Sequence, residues 1–425
     1  MKKPGQRCGL PPRRTPKQLG FGRRAGHGSK RLGPASRPFS SHPLMLPRLF
    51  DRRFSRRRPL FSAAVRAASL AVVLLFLGAC TGTGPTSPVV QSGDGTATRP
   101  AGPVGTPREP TVAGRIDGLH LPWSTVYLPD GTAVISERDT ALLRTINGGQ
   151  LGSLGKVPGV VPGGEGGLLG LALSPNFAAD RYLYAYFTAA ADNRIARMRL
   201  EERGGRLELG ALEPVFTGIS KAGTHNGGRI RFGPDGFLYV GTGDSQRREQ
   251  PQDRAALGGK ILRLTADGRP APGNPFGENP VYSLGHRNVQ GLAWDSAGRL
   301  WASEFGPDVD DELNLIVPGG NYGWPDVTGA PHRSGFLDAK VVWPSTAESS
   351  PSGLEIVGST AYLGALRGQR LWVVPLRGEF AEEPVSYFTR QYGRVRNVSL
   401  APDGRLWLLS NNQNPDFVLF LDLHG

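Results

Sequence analysis

From about residue 114 onward the apolar positions fall in short runs separated by polar turns, and no long stretch repeats them at helical spacing. The runs Arg181-Tyr-Leu-Tyr-Ala-Tyr, Phe237-Leu-Tyr-Val-Gly, Arg299-Leu-Trp-Ala-Ser and Arg405-Leu-Trp-Leu-Leu read as strands, because aromatic and branched side chains suit a pleated, half-buried surface. Turn chemistry punctuates them at Leu128-Pro-Asp-Gly, Ser174-Pro-Asn, Gly233-Pro-Asp-Gly, Asp295-Ser-Ala-Gly, Ser350-Pro-Ser-Gly and Ala401-Pro-Asp-Gly. Proline presets φ in such a turn and glycine accepts the positive φ that follows. Six signals at periods of about 45 to 62 residues predict an all-β fold, a six-bladed β-propeller of four-stranded blades. A β-sandwich is the alternative, but it leaves repetition over the whole body without a cause.

The chain before the strands divides in two. Arg56, Arg57 and Arg58 precede the apolar run Ala67–Ala79, which ends in Leu77-Gly78-Ala79-Cys80. That order of basic, apolar and small residues before a cysteine predicts a lipoprotein-type signal within residues 1–80, with Cys80 as the lipidated first residue of an exported protein. A transmembrane anchor is the alternative, for which the apolar run is short. Residues 1–44 are rich in Arg, Pro and Gly and precede Met45, so they also fit a mis-assigned start. Residues 81–113, mostly Gly, Ser, Thr and Pro, read as a flexible tether, and 114–425 as the propeller.

Location changes the meaning of the charge. The formal net charge is +14, yet residues 1–80 hold 18 Lys and Arg against one Asp, leaving 32 basic and 35 acidic groups in the remainder. A nucleic-acid binder carries its excess on the folded surface, so DNA and RNA are excluded as partners. Cys8 and Cys80 are the only cysteines, so the exported body can form neither a disulfide nor a thiolate metal site.

Chemistry concentrates in residues 282–325, where His286, Arg287, Asn288, Glu304, Asp308, Asp310, Asp311, Glu312 and Asn314 crowd between short apolar runs beside Gly306-Pro307 and Gly319-Gly320. Taken with His225 in Thr-His-Asn-Gly-Gly-Arg and Gly-Arg-Val-Arg-Asn at 393–397, roughly residues 118–425 resemble the pyrroloquinoline quinone (PQQ)-dependent glucose/sorbosone dehydrogenases. The resemblance implies the same propeller fold and oxidation of the C1 hydroxyl of aldose sugars to lactones, the electrons passing on to a quinone or soluble acceptor.

It also implies roles. His225 matches the general base, for which an imidazole titrating near neutrality is suited. Thr224 precedes it where the glucose enzymes carry an aspartate, which leaves the group that orients the base unassigned. Arg287, Arg367, Arg394 and Arg396 match residues around the quinone, since guanidinium forks bind carboxylates bidentately and PQQ is a tricarboxylate. Arg287 and Asn288 match the pair at its reactive carbonyl, and Arg287 is thereby also a catalytic candidate. Glu165 stands where a cofactor-contacting glutamine is found, a carboxylate facing an anionic ligand. Gly306 and Pro307 match carbonyl donors to the Ca²⁺ that joins PQQ to the protein, and Glu312 and Tyr322 match ligands of a structural Ca²⁺. His332 falls where that second site has an aspartate. Trp343 matches an aromatic over the substrate face, whereas Trp324 reads as core. The short segment between Asp244 and Lys260 implies an open mouth and a broad range of aldoses. A calcium-dependent lactonase and a non-enzymatic carbohydrate- or protein-binding propeller are the competing readings.

Overall fold

The computed structural model describes residues 107–413 and 415–423; the leader, Cys80 and the tether up to residue 106 lie outside the described residues. Strand β1 (Thr111–Leu119) is followed by a first blade of β2 to β5 (Pro122–Tyr127, Ala133–Glu137, Leu142–Asn147, Gln150–Lys156). The second contains β6 (Leu168–Leu173), the one-turn helix α1 (Phe177–Asp180), then β7 to β9 (Tyr182–Thr188, Asn193–Arg203, Arg206–Ile219). The third holds β10 to β13 (Ile230–Phe232, Leu238–Gly241, Lys260–Leu264, Val281–Leu284), and the fourth β14 to β17 (Val289–Trp294, Leu300–Glu304, Asp311–Ile316, Val341–Trp343). The fifth has β18 to β22 (Pro351–Val357, Thr360–Ala365, Arg370–Arg377, Phe380–Ala381, Val385–Tyr387), and the sixth β23 to β25 (Val395–Leu400, Leu406–Ser410, Asp416–Asp422).

Each sheet is antiparallel with its strands in chain order, and the six blades form a ring. In the fifth blade β21 and β22 both pair with β20, splitting the outer rank around Glu382–Pro384, where proline cannot donate to a ladder. The sixth blade is completed by β1, which pairs with β25 from Thr111 opposite Asp422, three residues before the expected boundary at 114. Asp416 fastens the closure. Fully buried on β25, it accepts hydrogen bonds from the Leu121 N–H (2.9 Å) at the start of the first blade and from Ser410 Oγ (2.7 Å) on β24.

Five of the six turn signals fall between the first and second strands of successive blades, the same place in each repeat. The sixth is a correction. Ser350-Pro-Ser-Gly opens β18, and the equivalent turn of the fifth blade is Gly358-Ser359, which carries no proline. The four strands read from the sequence are β7, β11, β15 and β24, all second strands. They are apolar on both faces because each is covered by neighbouring blades. Trp301 on β15 is wholly buried among Ala293, Leu313, Leu354 and Leu363, with its indole N–H on Asp295 Oδ2 (3.0 Å).

Candidate functional site

In an antiparallel blade the start of the first strand and the end of the second lie at the same edge, so six blades deliver these segments to one mouth of the axis. A cavity of about 300 Å³ opens there. Glu165, His225, Arg287, Ser350 and Arg394 reach it from segments preceding β6, β10, β14, β18 and β23. Arg138, Gly306-Pro307, Arg367, Asn411 and Gln413 reach it from segments following β3, β15, β19 and β24. Gln290 and Arg396 rise into it from the inner strands themselves.

His225 sits in the left-handed region (φ 58°), in a turn held by the Tyr186 hydroxyl on the Asn226 carbonyl (2.8 Å) and by Glu165 Oε2, which accepts the His225 N–H (2.7 Å). Gly243, just past the end of β11 in the same blade, permits the close approach of this turn, since a Cβ there would meet the His225 carbonyl at 1.9 Å. The ring Nδ1 lies 2.8 Å from Asp244 Oδ1, and Asp244 Oδ2 accepts the Trp324 indole N–H at 2.8 Å. Burial alone would raise the Asp244 carboxyl, but bonds from His225, the Gln246 N–H and Trp324 outweigh it and hold the group below the usual range. An ionised Asp244 fixes the tautomer with the proton on Nδ1, so Nε2 carries the free lone pair.

The charge of the cavity is lopsided. Its lining presents five guanidiniums, from Arg138, Arg287, Arg367, Arg394 and Arg396, against the single carboxylate of Glu165. Arg138 pairs with Asp139 at 2.6 Å. Arg396 is buried and donates to Gln290 Oε1 (2.6 Å), Ser352 Oγ (3.2 Å) and Asn411 Oδ1 (2.9 Å), all neutral. Burial first, then repulsion from Arg138 and Arg394, lowers it to about 9. Burial likewise lowers Arg287 and Arg394. The Nε atoms of Arg287 and Arg396 are buried without a hydrogen-bond partner. An excess of partly desolvated cation with spare donors suits an anionic ligand carrying several carboxylates, which is the chemistry of PQQ.

Gly306 and Pro307 are fixed beside this charge. Asp311 Oδ1 accepts the Gly306 N–H (3.0 Å) and Oδ2 the Ser350 N–H (2.6 Å), while a Cβ at 306 would meet the Val309 carbonyl at 1.9 Å. Burial raises the Asp311 carboxyl to about 6. Among the described residues no group of three or more His, Cys, Asp or Glu is placed to hold a metal, so a cation here would rely on carbonyl oxygens.

Of the positions the resemblance picked out, Asn288, Glu312, Tyr322, His332 and Trp343 are not in the cavity wall. Asn288 is fully buried behind it, its Oδ1 accepting the Gly227 N–H (3.0 Å) and its Nδ2 unpartnered. Glu312 and Tyr322 line a crevice of about 10 Å³ that also touches Gly306 and Pro307. Glu312 Oε1 accepts the Gly329 N–H (2.6 Å), and Asn314 Nδ2 bridges Glu312 to Glu304 at 2.9 Å each. Burial drives both carboxyls upward, and the negative Glu304 raises Glu312 further. The Tyr322 ring stacks on His286 (4.7 Å, 22°), and its hydroxyl donates to the Leu315 carbonyl. His332 pairs with Asp338 at the surface (2.6 Å), away from Glu312 in its bonding. Trp343 is a correction. It ends β17, the outer strand of its blade, buried against Trp372 (5.5 Å) in the apolar layer between the fourth and fifth blades.

Asp244, Arg138 and Gln290 were not singled out, and Trp324 was read as core with no part in the site. The signal for Asp244 and Arg138 was positional, since each follows the second strand of its blade, the place that also yields Gly306 and Arg367. Trp324 comes from the fourth blade's outer loop to cover a third-blade carboxylate, and no local spacing encodes that contact.

The profile of the glucose/sorbosone dehydrogenases matches residues 119–419. Aldose sugar dehydrogenase YliI of Escherichia coli is 30% identical over 346 residues, covering 71% of this chain and 90% of that protein. Quinoprotein glucose dehydrogenase B of Acinetobacter calcoaceticus is 34% identical over 258 residues, 53% of this chain and 54% of its own length. Among solved structures, the PQQ-bound form of aldose sugar dehydrogenase from Streptomyces coelicolor superposes with a TM-score of 0.70 at 49% identity, covering 74% of this chain and 98% of that one.

Proposed function

The chain belongs to the glucose/sorbosone dehydrogenase family of sugar oxidoreductases, and from that premise we propose that it oxidises the C1 hydroxyl of aldoses to the lactone with PQQ as cofactor. One observation carries this reading: the His225–Asp244–Trp324 chain faces a cavity ringed by guanidiniums. His225 Nε2 takes the proton of the C1 hydroxyl while Asp244 stabilises the imidazolium that forms, so Asp244 supplies the orienting role that Thr224 cannot. PQQ, when bound, supplies the oxidising power, taking two electrons and the C1 hydrogen from the sugar. Arg367, Arg394 and Arg396 would hold its carboxylates, and Arg287 would polarise a quinone oxygen with Asn288 supporting it from behind. Glu165 acts on the base loop through the His225 N–H, which turns one of its oxygens away from an anionic ligand.

Adding PQQ and Ca²⁺ to the apo-protein and following dye reduction with a panel of aldoses tests the proposal. Turnover with several aldoses supports it and the open mouth. Lactone hydrolysis with Ca²⁺ alone, or sugar binding without turnover, replaces it with the lactonase or the binding propeller.

The Gly306 and Pro307 carbonyls would carry the Ca²⁺ shared with PQQ, and Glu312 with the Tyr322 carbonyl a structural one. A divalent cation would let the buried Glu304–Glu312 pair ionise, so chelation is expected to lower both the melting temperature and PQQ affinity, and added Ca²⁺ to restore both. Equal PQQ affinity with and without chelator, by titration, removes Ca²⁺ from the cofactor site.

Export with a lipid at Cys80 completes the proposal; no helix among the described residues is long and apolar enough to cross a membrane. Cys80→Ser is expected to abolish lipidation and shift the protein to the soluble fraction. An intact-mass measurement finding no lipid on the unchanged protein defeats it.

A further inference from the structure

A second cavity, of about 290 Å³, opens at the other end of the axis. It is walled by the later residues of the inner strands, among them Thr125 on β2, Arg231 on β10 and Glu355 on β18, together with Arg229, and it shares no lining residue with the upper cavity. Arg229 is 6% exposed and stacks on Trp123 at 4.3 Å. Its Nε donates to the Gln290 carbonyl (2.8 Å) and Nη1 to Ser124 Oγ (3.1 Å), but Nη2 is buried with no partner. Thr125 Oγ1, in the same wall, is also buried and unpartnered. Glu355 does not balance Arg229, because its Oε1 is the ion-pair partner of Arg231 (3.0 Å). Two guanidiniums therefore face one carboxylate, and the surplus charge rests on the more deeply buried of the two.

We infer that this lower cavity binds a small oxyanion, a carboxylate or a tetrahedral phosphate-like group, through Arg229 and Thr125. Arg229 Nη2 can only donate and the Thr125 hydroxyl can donate beside it, so the occupant must accept, and the guanidinium is buried, so it must also bring negative charge. A water or a sugar hydroxyl could take the hydrogen bonds but would leave the cation uncompensated. Burial and the neighbouring Arg231 lower Arg229 to about 9, outweighing the opposing effect of Glu355.

Calorimetric titration with sodium sulfate and with sodium acetate, against sodium chloride at matched ionic strength, tests this. To remove the upper arginines from the result, it is run on protein loaded with PQQ and Ca²⁺ and on an unloaded Arg367→Ala/Arg394→Ala variant, so that failure of the cofactor proposal leaves the second arm intact. The expected result is saturable binding of one equivalent of sulfate, acetate or both. Affinity should fall roughly tenfold to a hundredfold in Arg229→Gln and roughly threefold to tenfold in Thr125→Val. Sulfate alone assigns a tetrahedral anion and acetate alone a carboxylate. No binding beyond that of chloride, or unchanged affinity in Arg229→Gln, overturns the site. Where Arg229→Gln does not fold, unchanged affinity in Thr125→Val does so.

Discussion

Replacing His225 with alanine is expected to lower turnover by roughly 10²–10⁴ while PQQ titrates as before, because the imidazole acts on the proton of the sugar and not on the cofactor. The geometry adds a graded companion. Asp244→Asn keeps the shape but can donate to Nδ1, which favours the tautomer with its proton on Nε2 and withdraws the lone pair from the cavity. Turnover should fall there too, by less than in His225→Ala, and the double variant should be no worse than His225→Ala, since both changes remove one unit. Steady-state rates with several aldoses check this. Near-full turnover in His225→Ala would sink the assignment of the base and most of the mechanism with it.

Arg394→Ala should cost about 1.5–3 kcal/mol of PQQ affinity, the range for a hydrogen bond to a charged partner. Arg394 has no carboxylate partner among the described residues, so nothing else consumes its charge. Arg396→Ala should cost a similar amount by a different route. Its three hydrogen bonds go to Gln290, Ser352 and Asn411, and only Nε is spare, so its contribution is the buried charge itself rather than a fork free to close on a ligand. The substitution also strips Gln290 and Asn411 of a donor, so melting temperature should fall in Arg396→Ala more than in Arg394→Ala. Fluorescence titration of the apo-variants with PQQ and Ca²⁺ measures both, and unchanged affinity in the pair would remove these arginines from the cofactor site.

The orientation of the base illustrates how a gap in one segment is filled from another. Thr224 cannot hold His225, and its hydroxyl instead accepts a bond from Gln246 Nε2 (2.8 Å). Asp244, nineteen residues on, does the holding because the third blade's second strand ends beside the start of its first. Trp324 then braces Asp244 from a loop eighty residues away.

The sequence by itself determined the architecture and part of the charge at the mouth. Turn residues must adopt particular φ values and strand residues must present apolar faces, and both constraints are local, so six repeats and four of their second strands could be read directly. The residues that precede inner strands, such as His225, Arg287 and Arg394, were legible because their local motifs resemble those of the glucose/sorbosone dehydrogenases. Where the signal was weak the reading slipped: Ser350-Pro-Ser-Gly has turn composition, yet Pro351 leads a strand, where its missing N–H costs nothing. Only the tertiary structure decided which side chains meet. It turned Trp343 into the layer between blades, brought Asp244 and Trp324 to the base, took Glu165 onto the His225 backbone, and left Arg229 Nη2 buried without a hydrogen-bond partner at the far mouth. These contacts join residues separated by tens of positions, and their partners are chosen by ring closure and packing between blades, which no local periodicity records.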